Sequence, residues 1–166
     1  GPGFHLDNRG KRSLVLDLEK PRAREVVHRL VRDADVFLTN LTQPRREKYE
    51  LGYERLRAAN PRLVYTSLTG YGTHGPEHWR PGFDYAAFWA RSGIMATLGE
   101  PPSAPPLCRG GQGDHTTALN LVLATLAARL DWMDRRLTPD QRDQIEAASG
   151  GVSLRDLVGG ILDRLD

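Results

Sequence analysis

The chain has 166 residues, 39% of them hydrophobic and 27% charged, and 23 Lys and Arg stand against 21 Asp and Glu for a formal net charge of +2. That is material for one globular domain, or a piece of a larger one, with a core of its own. It excludes a membrane-spanning protein, because no apolar run approaches the ~18–20 residues such a helix needs, and the near balance of charge does not demand nucleic acid as a partner. A single cysteine, Cys108, excludes an internal disulfide and a cysteine-based metal cluster. The N-terminus is polar and lacks the pattern of a signal peptide, and Gly1-Pro2-Gly3 reads as a remnant of cloning. A cytoplasmic setting is the plain expectation.

Residues 13–18, SLVLDL, form a short apolar run expected to be the first strand. From Pro21 to Asp33, Val26, Val27, Leu30 and Val31 share one helical face, and proline suits the first turn, where no amide hydrogen bond is lost. ADVFLTN at 34–40 reads as a second buried strand. A basic stretch and the helix YERLRAAN follow, then PRLVYTSLTG at 61–70 as a third strand. Alternating strands and helices with short connections predict an α/β fold with a parallel sheet built from βαβ units.

Beyond Gly70, GYGTHGPEHWRPG and LGEPPSAPPLCRGGQG concentrate Gly and Pro and predict long ordered loops, which are often functional. Between them FDYAAFWARSGIMA reads as a helix whose aromatics, Phe83, Tyr85, Phe88 and Trp89, pack in a core. From His115 to Arg129 the chain is apolar on nearly all sides and belongs in an interior or against a partner. Thr138-Pro139-Asp140-Gln141 is a capping box, and Ser153 can cap a second short helix after Gly150-Gly151, so the C-terminal part reads as a helical hairpin or tail. The expected division is residues 1–136 and 137–166.

The candidate chemistry lies in RGGQGDHTTALN at 109–120. Asp114 reads as the N-cap of the apolar helix, since aspartate is a preferred cap residue. The same placement favours the ionised carboxylate, which is a competent nucleophile toward an activated acyl group, with neighbouring glycine amides able to stabilise an oxyanion. The five histidines show no metal spacing, so no metal is expected, and His115 beside Asp114 is no dyad because sequence neighbours on a helix point apart. Ser67 and Ser92 lack a nucleophile-elbow context, and neither G-x-G-x-x-G nor a P-loop is present.

NRGKRSLVLDL (8–18), ADVFLTN (34–40), LGYERLRAANPRLVYTSLTGYGTHGP (51–76), GFDYAAFWARSG (82–93) and GDHTTALNLVLATLAAR (113–129) resemble, in order and spacing, the family III coenzyme A transferases. That family contains formyl-CoA and carnitine CoA-transferases and α-methylacyl-CoA racemase. The resemblance implies a Rossmann-like large domain, an interlocked dimer, acyl-CoA as substrate and a carboxylic acid as acceptor. It places the nucleophile that attacks the thioester at Asp114. It implies that Asn40 and Leu41 lie along the CoA, that Arg9 and Lys11 fall near its diphosphate, and that Lys48 supplies a further cationic contact.

Several positions depart from the family pattern. The arginine expected at Thr42 is missing, and Arg45, Arg46 or Lys48 is left to supply that charge. The racemase histidine falls where this chain has Phe83, within Gly82-Phe83-Asp84. Phenylalanine cannot move a proton, which favours transferase over racemase and leaves Asp84 as a polar contact near the thioester. The resemblance also implies an opening strand before residue 8 and a small domain after Arg129. The segment from 137 onward instead resembles the C-terminal end of type I restriction enzyme motor subunits. The sequence is open to four readings: a CoA-transferase or the half of one that carries the nucleophile, a non-catalytic remnant that binds CoA or assembles with other chains, an acyl-CoA racemase and, last, an accessory piece of a restriction complex. A homodimer or a complementing chain is the expected assembly, since an exposed apolar face favours association.

Overall fold

The computed structural model describes residues 2–99, 108–153 and 156. Its elements in chain order are α1 (Pro2–Asp7), α2 (Pro21–Asp33), β1 (Val36–Thr39), α3 (Gln43–Lys48), α4 (Tyr53–Ala59), β2 (Val64–Ser67), a π-helical segment (Asp84–Ala90), α5 (Ile94–Thr97), α6 (Gln112–Asp134) and α7 (Pro139–Ala148). Strands β1 and β2 pair in parallel, with Val36 opposite Val64 and Thr39 opposite Ser67. The α/β class and the parallel pairing follow the sequence expectation.

The expected first strand is a correction. Residues 13–17 carry no strand pairing, Leu14 and Val15 stand exposed, and a turn closes where the amide of Lys20 donates to the carbonyl of Asp17 at 2.9 Å. A strand exists through its ladder, and among the described residues this segment joins neither edge of the two-stranded sheet.

The core lies between α2, α4 and the sheet. Val31, Leu51, Leu56 and Leu63 are buried there, with Leu18, Val27, Phe37 and Tyr65 packed around them. The buried face of α2 runs through Ala23, Val27 and Val31, four residues apart, so Leu30 turns outward against expectation. Asn60 is buried for a reason. Its side-chain amide donates to the carbonyls of Val31 and Ala34, both at 2.8 Å, adding a second donor to Val31, which already accepts from Ala34 N–H, and supplying one to Ala34 past the end of α2.

Helix α6 docks on this unit through the completely buried Ala127 and through polar contacts. The hydroxyls of Thr66 and Thr125 share a hydrogen bond of 3.0 Å, and Arg129 donates to Asp35 at 2.6 Å. The guanidiniums of Arg129 and Arg136 both lie over Trp132. The outer face of α6 leaves Leu119, Val122, Leu123 and Leu126 exposed.

The helix expected over 83–96 is divided. A π-helical stretch ends near Arg91, and Gly93, at φ +80°, separates it from α5. Of its aromatics, Trp89 is buried, whereas Phe83 and Tyr85 are exposed, so core packing holds for only part of the set. At the C-terminal end the capping box is present: Gln141 N–H donates to Thr138 Oγ1, and Gln141 Oε1 accepts from Thr138 N–H. The amide of Asp156 donates to Ser153 Oγ at 3.0 Å, in keeping with a cap there, while most of the expected second helix lies outside the described residues.

Candidate active site

The ends of β1 and β2 both open toward one cavity of about 840 Å³, within the range typical of small-molecule sites. Asn40, Leu41 and Arg45 line it from the β1 side, Leu68 to Gly70 from the β2 side, and Asp84, Phe88, Gly113, Asp114 and Thr117 from the helices. Asn40, Leu41, Asp84 and Asp114 are therefore brought together. Arg9, Lys11 and Lys48 are not among the lining residues.

Lys48 is engaged elsewhere. Its ammonium donates to Glu19 at 2.6 Å, and the hydroxyl of Tyr49 donates to the same carboxylate oxygen. The hydrogen bond from Lys48 lowers the Glu19 pKa below its ordinary value, and the bond to Glu19 raises that of Lys48. Lys11 donates to Asn8 Oδ1 at 3.3 Å, and Arg9 is exposed. Of the three cations considered for the missing arginine, Arg46 is tied to Ser67 at 2.8 Å, which leaves Arg45 as the one that lines the cavity.

The loop at 71–81 contributes His78, which the sequence places in a loop without a catalytic role, and Arg80, which no motif marks although the Gly and Pro content marks the loop. Arg80 and Arg91 both pair with Glu77 and both lie over the ring of Tyr71. The loop is thus stapled to the π-helical segment. A close backbone approach fixes it further: a Cβ on Gly70 would stand 2.3 Å from the Cα of Gly82, a separation that only glycine at this contact allows.

The start of α6 corrects the expected cap. Gly111, at φ +80°, is the N-cap, and α6 begins at Gln112, so Asp114 sits in the first turn and caps nothing. Asp84 provides the acceptor instead. Its Oδ2 accepts from the amide of Gly111 at 2.8 Å and its Oδ1 from the amide of Asp114 at 3.2 Å. The Gly111 amide is thereby engaged and is not aimed at a ligand. Asp84 is buried, whereas Asp114 is exposed to the cavity, and its carboxylate has no hydrogen-bond partner among the described residues. Gly113 explains its own identity, since a Cβ there would meet Phe88 Cγ at 2.2 Å and Asp84 Oδ1 at 2.4 Å.

An α/β unit with a free carboxylate on the first turn of a helix, facing a ligand-sized cavity at the carboxyl ends of parallel strands, is a framework for chemistry on a bound small molecule. The comparisons make this specific. The chain belongs to CoA-transferase family III, whose model matches residues 1–149. It is 38% identical over 125 residues to the cinnamoyl-CoA:phenyllactate CoA-transferase of Clostridium sporogenes, covering 75% of this chain and 30% of that protein. It is 41% identical over 132 residues to the α-methylacyl-CoA racemase of Homo sapiens, covering 74% and 34%. Among solved structures, a CAIB/BAIF family protein from Brucella suis superposes with a TM-score of 0.61 at 33% identity, over 96% of this chain and 39% of that one. The chain spans about a third of the length of the curated relatives it matches. No helix among the described residues is long and apolar enough to cross a membrane.

Proposed function

We propose that the chain carries the nucleophilic half of a CoA-transferase, which moves CoA from an acyl-CoA donor to a carboxylic acid through Asp114. The single observation that carries this reading is the Asp114 carboxylate, without a hydrogen-bond partner among the described residues, on a helical turn and facing the cavity. A carboxylate oxygen of Asp114 attacks the thioester carbonyl, the C–S bond breaks and CoA leaves as thiolate, giving a mixed anhydride. The thiolate returns to the aspartyl carbonyl and the donor acid departs, leaving an aspartyl-CoA thioester. The acceptor carboxylate attacks that thioester and releases the thiolate, which attacks the acceptor carbonyl of the new anhydride and frees Asp114.

In this reading β1 and β2 belong to a Rossmann-like large domain, and Asn40 and Leu41 lie along the CoA. Arg45 supplies a cationic contact at the cavity, with Arg9, Lys11 and Lys48 available to the CoA phosphates once ligand is bound. The exposed face of α6 is covered by a second copy or a complementing chain, in a cytoplasmic assembly. Residues 137–166 stand apart as a helical tail.

Two further readings stand beside this one. A remnant that binds CoA without turning it over is what remains if Asp114 takes no acyl group. The racemase relative keeps proton transfer open, though Phe83 stands where a histidine is needed. Intact-protein mass spectrometry after incubation with a panel of acyl-CoA donors separates them. The transferase reading expects a donor-dependent adduct that hydroxylamine cleaves and that Asp114→Ala abolishes. Folded protein that takes up no donor contradicts it and leaves the remnant reading.

A further inference from the structure

We propose that Asp84 is a positioning residue, a remote cap that orients the turn bearing Asp114 and frees the Asp114 carboxylate for chemistry. This rests on the reading of Asp114 as nucleophile and assigns Asp84 a role other than contact with the thioester.

The amides of a helix's first turn have no partners within the helix, and a local Asp ordinarily turns back to accept from them. Helix α6 has no side-chain cap of its own. Asp84 reaches across 27 and 30 residues of sequence to accept from Gly111 N–H and Asp114 N–H, one on each carboxylate oxygen. The indole of Trp89 donates to Oδ2 at 3.2 Å, so three donors hold a carboxylate that is only 9% exposed. One aspartate is spent on the helix start. The other, on that same turn, has no hydrogen-bond partner for its carboxylate among the described residues.

The local backbone accounts for the arrangement. In an α-helix residues five apart lie roughly 140° apart around the axis, and the Trp89 indole would point away from Asp84. The i to i+5 geometry of the π-helical segment brings the two onto one side. Gly113 lets the turn approach, because any side chain there would displace Phe88 or the carboxylate itself. The contact between Gly70 and Gly82 seats the start of the segment against the end of β2. Asp84 is therefore fixed from both sides, and through it the backbone of Asp114 is fixed relative to the cavity.

The test compares the full chain with Asp84→Asn, which keeps the size but replaces one acceptor oxygen with a donor, and with Trp89→Phe, which disturbs the same packing yet leaves both amide acceptors. Asp84→Ser takes the place of Asp84→Asn if that variant does not fold. Three quantities are read: amide hydrogen exchange at Gly111 and Asp114, the Kd for CoA, and the acylation rate at saturating donor.

In the Asn variant the amide left facing the new NH2 group, Gly111 or Asp114, should exchange ~10-fold or more faster while the Thr138 cap is unchanged. CoA should bind within ~2-fold of the parent, and acylation should slow on the order of 10²-fold, the cost of a small misplacement of a reacting group. Trp89→Phe, which loses one of the three donors but keeps both amide acceptors, should slow acylation by no more than ~10-fold, well short of the Asn variant. Unchanged exchange at both amides in the Asn variant overturns the proposal, as does an unchanged acylation rate. So does Trp89→Phe slowing acylation as much as Asp84→Asn, because disturbed packing alone would then account for the loss. If the parent takes no acyl group from any donor, the transferase reading fails, while the exchange comparison still decides whether Asp84 holds the turn.

Discussion

Leu56 and Leu119 are the same residue in two different kinds of surroundings. Leu56 is completely buried between α4 and the sheet, whereas Leu119 is 69% exposed on α6. Around Leu56, apolar side chains from α2, α4 and β2 close over one another, and the polar groups among them, Asn60 and the hydroxyl of Tyr65, are hydrogen-bonded. Around α6 the docking is done by one completely buried alanine, Ala127, a threonine pair, an ion pair and the Asp84 clamp, and a row of leucines and a valine faces outward. Stability in this chain resides mainly in the first region. The candidate chemistry sits on the second, held by a small number of directional contacts.

The difference can be broken from the stable side first. Leu56→Ala should lower unfolding free energy by ~2–5 kcal/mol, the range for a buried leucine that leaves a cavity, measured by urea denaturation. Gly113→Ala strikes the junction of the two regions. The added methyl must displace Phe88 or Asp84, at about 1–3 kcal/mol for overpacking, and donor-dependent labelling of Asp114 should fall with it.

Leu119→Lys probes the outward face. In the lone chain its effect should stay within ~0.5 kcal/mol, as for exposed positions generally, so any larger consequence will appear as a shift in oligomeric state on sedimentation. If stability falls as for Leu56, the contrast between the two regions is wrong.

The smallest effect belongs to the exposed pair of Lys48 and Glu19. A glutamate whose pKa is lowered by its partner contributes stability above its unfolded value, lost as pH falls. A lysine whose pKa is raised contributes below its unfolded value, lost as pH rises. The pair therefore acts between about pH 4.5 and 10.5. Lys48→Ala should flatten any dependence of melting temperature on pH at the edges of that window, with a change near the limit of detection because both groups are solvated.

Local signals in the sequence carried over where the physics is local. Pro21 starts α2, and the Thr138 box starts α7, each within four residues of its partner groups. The run at 13–18 has strand composition, but pairing depends on a neighbour that composition does not name. The cap of α6 shows the same limit more sharply. Asp114 has the right residue type beside a glycine, yet the positive φ of Gly111 starts the helix early enough to put Asp114 inside its first turn. The true acceptor, Asp84, lies about thirty residues away and leaves no periodic trace. The grouping of Asn40, Leu41, Asp84 and Asp114 was legible through the family resemblance. The clamp between the two aspartates was not.

The central claim is that Asp114 is the nucleophile, and its most direct test is to locate the adduct. Trypsin releases residues 110–129 as one peptide, in which Asp114 is the sole side-chain carboxylate. Donor-labelled protein treated with hydroxylamine should yield this peptide as its hydroxamate, with fragment ions placing the change at residue 114. Label found only on other peptides, with residues 110–129 unmodified, would contradict the account.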